Sequence, residues 1–115
     1  MPVTIYHNPR CSKSRQTLKI LQDEGHAPEI IEYLKTPPSV AQLGHILDML
    51  GIEPQELMRK KEREFSENDL GRETLSREAL IKAMVENPVL IERPIVISND
   101  RAIIGRPPEA VRQII

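Results

Sequence analysis

The chain alternates between short β-branched runs and longer stretches whose apolar residues recur three or four apart. Val3-Thr4-Ile5-Tyr6 is β-branched and aromatic, so residues 2–6 read as a short buried strand. Leu18, Ile20 and Leu21 then fall at helical spacing, which predicts a helix over 14–24 stopped by Gly25. After the connection His26-Ala27-Pro28, the run Glu29-Ile30-Ile31-Glu32-Tyr33-Leu34 reads as a second strand. Strand, helix and strand within about 35 residues is the size of a βαβ unit, whose crossover is almost always right-handed.

Lys35-Thr36-Pro37-Pro38 interrupts that pattern, and a helical one follows. Ser39 is placed as an N-cap for a helix burying Val40, Leu43, Ile46, Leu47 and Leu50, with Gly51 as its stop. A second short helix begins near Glu53-Pro54 and carries Leu57 and Met58. The run Arg59–Glu64 has no apolar period, and its basic part, Arg59–Arg63, reads as a solvated helix face. Ser76-Arg77-Glu78-Ala79 opens a helix with Leu80, Ile81, Met84 and Val85 on one side, ending near Asn87-Pro88. Strand character returns in Pro94–Ser98, with Asn99-Asp100 as a turn and Arg101–Ile104 as a hairpin partner. Gly105-Arg106-Pro107-Pro108-Glu109 leads into a last short helix with Val111, Ile114 and Ile115. The order is βαβ, helices, ββα. That is an α/β pattern in one domain spanning 1–115, with a helical block inserted at about 39–86.

Composition narrows the function classes. The 115 residues carry a formal net charge of −1, which gives no general attraction to nucleic acid or anionic membrane. No apolar run approaches the roughly 20 residues that span a bilayer. Met1-Pro2-Val3 lacks the charged lead and long apolar segment of a signal peptide. A single cysteine excludes an internal disulfide and fits a reduced, cytoplasmic setting. Aromatics are scarce, so the core must be aliphatic.

That cysteine, Cys11, lies where the first strand gives way to the first helix. A thiol at a helix N-terminus meets unpaired amides and the positive end of the helix dipole, which favour a thiolate or a bound oxyanion. Arg10, Lys13 and Arg15 act in the same direction. A lone cysteine is often a buried filler, but Pro9, three cations and two serines suit an exposed thiolate. Cys11-Ser12-Lys13-Ser14 has the spacing of a redox C-x-x-C with serine in place of the second thiol, so any adduct on Cys11 must be resolved by an outside thiol. Cys11 to Arg15 is C-x3-R, shorter than the cysteine-phosphatase spacing. His7, four residues before Cys11, either orders the loop through a local hydrogen bond or helps hold the thiolate. His7, His26, His45 and Cys11 show no metal-ligand spacing, so no metal is expected. Arg59, Arg93 and Arg106 each sit at a break between elements. Arg93 precedes Pro94 at the entry to a strand, where a cis peptide can present backbone to a ligand.

Taken together these motifs resemble the arsenate reductase family. Ile5-Tyr6-His7-Asn8-Pro9-Arg10-Cys11-Ser12-Lys13-Ser14-Arg15 is similar to that family's I-Y-H-N-P-x-C-x-x-S-R. Tyr33–Pro38, Glu56–Lys60, Glu92–Val96 and Gly105–Glu109 match further family motifs in order. The resemblance implies a thioredoxin-like fold, a four-stranded mixed sheet with a helical insertion, and a cis Pro94 facing the cysteine loop. It implies Cys11 as nucleophile, with His7 supporting it and Arg59, Arg93 and Arg106 holding the oxyanion. Asn8, Ser14, Arg15 and Pro94 would support the loop. Arsenate or a similar oxyanion would be the substrate, glutathione the co-substrate and glutaredoxin the protein partner, with no bound cofactor. Two other functions fit the same residues less fully. One is a thiol- or glutathione-linked oxidoreductase with another substrate. The other is a non-catalytic regulator of the Spx type, whose C-x-x-C switch Ser14 removes.

Overall fold

Four strands form one mixed sheet in the order β2-β1-β3-β4, in a computed structural model that describes residues 2–72 and 75–115. Positions 73 and 74 of the expected helical block lie outside the described residues. By internal contacts the chain divides into two units, Met1–Thr36 with Arg93–Ile115, and Pro37–Glu92.

The first unit carries the sheet. β1 (Val3–His7) is followed by α1 (Ser12–Asp23) and β2 (Glu29–Glu32), which pairs parallel with β1 from Thr4↔Glu29 to His7↔Glu32. β3 (Ile95–Ser98) lies antiparallel on the other side of β1, and β4 (Arg101–Ile104) completes a hairpin with it. Asn99 and Asp100 turn that hairpin at φ 56° and 59°, the left-handed pair of a two-residue primed turn. Val3, Ile5, Leu21, Val96, Val111 and Ile114 form a buried aliphatic cluster, with Leu18, Ile20, Ile103 and Ile115 packed on it. This is a thioredoxin-like α/β arrangement, reached by a β-branched central strand and one helix crossing between parallel neighbours.

Local boundaries differ from the periodicity for identifiable reasons. α1 starts at Ser12 rather than 14, because Cys11 is its N-cap and the first turn is polar. It ends in a Schellman motif: Gly25 N–H donates to Gln22 O and His26 N–H to Leu21 O, with Gly25 at φ 89°. β2 stops at Glu32, two residues short of the apolar run. There the amides of Lys35 and Thr36 both turn back to Glu32 O at 2.9 Å. The final helix over Pro108–Gln113 is 3-10, closed by three-residue bonds such as Ala110 N–H to Pro107 O at 3.0 Å.

The second unit is helical. α2 (Val40–Leu50) has a complete capping box, Ser39 Oγ accepting from Gln42 N–H and Gln42 Oε1 from Ser39 N–H. It buries Leu43, Ile46 and Leu47, whereas Val40 is exposed and Leu50 only partly covered. α3 (Pro54–Leu57) and α4 (Arg63–Glu67) are single turns, and α5 (Arg77–Glu86) buries Leu80, Ile81 and Met84. Arg77 ties α5 to α2 by bonding Asp48 Oδ1 at 2.8 Å and Gly44 O at 3.1 Å. A 3-10 turn, Pro88–Leu90, ends the unit. The start of the basic run, Arg59–Glu62, is not a helix face as expected; only Arg63 and Glu64 enter α4. Met58 forms a β-bridge with Ile91 and Arg59 N–H donates to Leu90 O at 2.7 Å, after which Glu62 N–H turns back to Arg59 O at 3.1 Å. Hydrogen bonding across thirty residues overrides a local pattern that carried no apolar period.

Candidate active site

β1 ends at His7, and Asn8-Pro9-Arg10 turns the chain into α1. Asn8 organises that turn: its carbonyl accepts from Cys11 N–H at 3.0 Å and its Oδ1 from Arg10 N–H at 3.0 Å. Arg15, one turn into the helix, donates from Nη1 to Pro9 O at 3.0 Å. Ser14 closes the loop from inside. It is fully buried, and its Oγ accepts from Asn8 N–H at 3.0 Å while lying 2.6 Å from His7 Nδ1. The serine that closes the C-x-x-S motif, Ser14, therefore staples the strand end to the helix start.

Cys11 occupies the N-cap of α1 in extended conformation, and its side chain makes no capping hydrogen bond. The expectation of an exposed thiol is corrected: Cys11 is only 9% exposed. Burial raises its pKa, and four groups more than offset that effect. These are the amide of Ser14, the Arg93 guanidinium, the amide of Lys13 and the Arg106 guanidinium, so the thiol is held below its ordinary value. Arg106 Nη2 lies 3.7 Å from Sγ. A buried sulfur beside two guanidiniums and a helix terminus is favoured as a thiolate.

Both arginines lie two residues beyond the last pair of the β3–β4 ladder. Ile95 pairs with Ile104, and the same register continued two places brings Arg93 opposite Arg106. Pro94 O accepts from Gly105 N–H at 2.9 Å, and Arg93 O from Arg106 Nε at 2.9 Å. The Arg93–Pro94 peptide is cis, as the resemblance implied, and so is Arg106–Pro107, which nothing in the sequence reading anticipated. Gly105 is needed for close approach: a Cβ there would lie 2.5 Å from Thr17 Oγ1 and 2.8 Å from Pro94 Cγ. A glycine between a strand and an Arg-Pro-Pro break was the sequence signal for this residue.

His7 is a buried strand residue rather than a loop one, and its pKa is lowered, burial outweighing the opposing pull of Glu32, with Arg15 lowering it further. A neutral imidazole bonded to Ser14 orders the loop and adds no positive charge beside the sulfur. The loop reading of His7 thus has direct geometric support in the Ser14 contact. His7, Asn8, Cys11, Ser14, Arg15, Arg93, Pro94 and Arg106 all belong to the sheet unit. Arg59 belongs to the helical unit, where it pairs with Glu62 at 2.8 Å and donates to Val89 O at 3.3 Å.

Residues 6–114 match the model of the ArsC family. The chain is 54% identical over 114 residues to "Uncharacterized protein YfgD" of Escherichia coli (strain K12), covering 98% of this chain and 96% of that one. It is 47% identical over 116 residues to an arsenate reductase of Haemophilus influenzae (strain ATCC 51907 / DSM 11121 / KW20 / Rd), covering the whole of both. Among solved structures, an arsenate reductase from Vibrio cholerae is similar at 52% identity with a TM-score of 0.97, over 100% of this chain and 98% of that one.

Proposed function

Because the chain belongs to the ArsC family, we propose that it reduces arsenate to arsenite through Cys11, with glutathione and glutaredoxin supplying the electrons. The observation that carries this reading is the sulfur itself: a thiol held below its ordinary pKa, with Arg106 Nη2 at 3.7 Å and the amides of α1 behind it. Arginine suits a tetrahedral oxyanion because its planar fork binds two oxygens and keeps its charge at all working pH values. Neutralising the oxyanion also lets an anionic sulfur approach it.

The thiolate of Cys11 attacks arsenic and one arsenate oxygen leaves as water, which forms a sulfur–arsenic bond at As(V). A glutathione thiol then replaces a second oxygen, and another water departs. When a glutaredoxin thiolate attacks the glutathione sulfur, the pair in the arsenic–sulfur bond stays on arsenic. Arsenic passes from V to III, and two thiols become one disulfide. Hydrolysis frees arsenite and returns the Cys11 thiolate. Cys11 is the only cysteine of the chain, so both reducing thiols come from outside. The family pattern gives Arg59 an oxyanion-holding role beside those of Arg93 and Arg106, and Arg59→Ala tests that role by the KM for arsenate.

The deciding measurement is arsenite formation from arsenate by purified protein with glutathione and glutaredoxin. Turnover is expected, and Cys11→Ser should abolish it. No turnover by a protein whose Cys11 still titrates as a low-pKa thiolate would remove arsenate as the substrate and favour a thiol-linked oxidoreductase.

A further inference from the structure

Three properties of the Cys11 sulfur together restrict what can react with it. At 9% exposure it admits small electrophiles and shuts out bulky ones. The guanidinium of Arg106, with Nη2 3.7 Å from Sγ, favours electrophiles that carry negative charge. Ser14 stands where a second thiol would be, and its hydroxyl is committed to His7 and Asn8. Whatever is left on Cys11 therefore stays until an outside acceptor takes it. An adduct that is itself anionic gains most here, because Arg106, Arg93 and the amides of Lys13 and Ser14 all act on the sulfur. A persulfide is such an adduct. It is more acidic than the parent thiol, reversible, and larger by a single sulfur atom.

We propose that Cys11 also carries sulfane sulfur, taking it from a small dianionic donor of the thiosulfate class and passing it to an external thiophile. The inference goes beyond arsenate reduction and shares with it only the sulfur and its arginines. The thiolate attacks the outer sulfur of the donor, and the sulfur–sulfur bond breaks with its electron pair on the departing sulfite. Cys11 is left as a persulfide anion. An acceptor such as cyanide then attacks the terminal sulfur, thiocyanate leaves, and the Cys11 thiolate returns. Both steps are sulfur transfers that need no further oxidant or reductant. Thiosulfate is tetrahedral and doubly charged, so a free thiolate in water repels it. The guanidiniums of Arg93 and Arg106 offset that repulsion, and their planar forks suit the sulfonate oxygens. The gain therefore depends on the charge of the donor and not on thiolate reactivity alone.

The test compares a charged reagent with a neutral one. Thiosulfate, and methyl methanethiosulfonate, which transfers a methylthio group to a thiolate, are each reacted with the protein and with glutathione as a free-thiol reference. Sulfite release reports the first reaction and loss of free thiol the second, with rates corrected to equal thiolate. The ratio of the thiosulfate rate to the neutral rate should be about a hundredfold higher for the protein, the size of one oxyanion donor. Cys11 should gain the mass of one sulfur atom, and cyanide should release it as thiocyanate over repeated cycles. Arg106→Gln, which removes the charge 3.7 Å from Sγ, should return the ratio toward that of glutathione. A ratio matching glutathione in the unmodified chain, or no gain of sulfur on Cys11, would overturn the proposal. So would a folded Arg106→Gln protein that keeps the full ratio. Each of those results leaves the arsenate reading standing. Sulfur transfer by a protein that forms no arsenite would remove arsenate and keep this activity.

Discussion

At the scale of single residues, the site is a competition over one proton. Burial alone would hold Cys11 protonated, and the amides of Ser14 and Lys13 with Arg93 and Arg106 reverse that outcome. No single group accounts for the result, so each arginine should matter by degree. Arg93→Ala and Arg106→Lys are expected to move the midpoint of Cys11 alkylation by iodoacetamide upward in pH, Arg93→Ala further because it removes a charge. Under the arsenate reading, Arg93→Ala should also lower kcat/KM for arsenate by roughly 10²–10³-fold, the size of losing one oxyanion donor. If arsenate turnover fell while the alkylation midpoint stayed put, Arg93 would bind substrate without acting on the thiol. Ser14 shows why residue identity alone misleads. In sequence it marks the absence of a second thiol, whereas in the fold its hydroxyl joins His7 to Asn8.

Among elements, the junction of β3, β4 and α1 sets the geometry. Gly105 packs its bare backbone against Thr17 of α1 and Pro94 at the head of β3. Gly105→Ala should therefore push the β3–β4 end away from α1 and carry Arg93 and Arg106 with it. Overpacking of this kind costs about 1–3 kcal/mol. The expected outcome is a lowered unfolding midpoint together with a raised Cys11 pKa, checked by thermal unfolding and alkylation on the same sample. A stable Gly105→Ala protein with an unchanged thiol would mean that Thr17 and Pro94 yield easily. Thr17 itself is held by its hydroxyl donating to Lys13 O at 2.8 Å, which leaves it little freedom to move aside.

For the molecule as a whole, the depressed thiol pKa couples the site to folding. A group that ionises more readily when folded makes stability rise with pH, here from the folded pKa of Cys11 up to the ordinary thiol value of about 8.5. Below that window folded and unfolded chains both hold the proton, and the slope from this group vanishes. The difference in urea-unfolding stability between the natural chain and Cys11→Ser should thus shift in favour of the natural chain as pH rises through the window. A difference that shrank with rising pH would contradict the sign. His7 adds a separate effect at lower pH. Its pKa is lowered by burial, so acidification below about 6.5 should weaken the fold as unfolded chains take up a proton that the folded chain resists.

Local patterns alone determined a great deal. A β-branched run, a thiol at the start of a helical period, Ser39 before one helix, Ser76 before another and Asn99-Asp100 between two strands are short-range signals, and the backbone follows them because caps and turns are satisfied within a few residues. The family motifs around Cys11, Arg93 and Arg106 were legible for the same reason, since each keeps its neighbours in sequence. Tertiary structure alone decided what depends on distant partners. It buried Cys11 rather than exposing it, and it tied the Arg59 amide to Leu90 O beside the Met58–Ile91 bridge instead of leaving Arg59 on a helix face. It also set Arg93 opposite Arg106 through the β3–β4 register and turned His7 toward Ser14. Strand register, burial and the balance of charges at a sulfur are sums over groups far apart in the chain, and no window of sequence contains all of them.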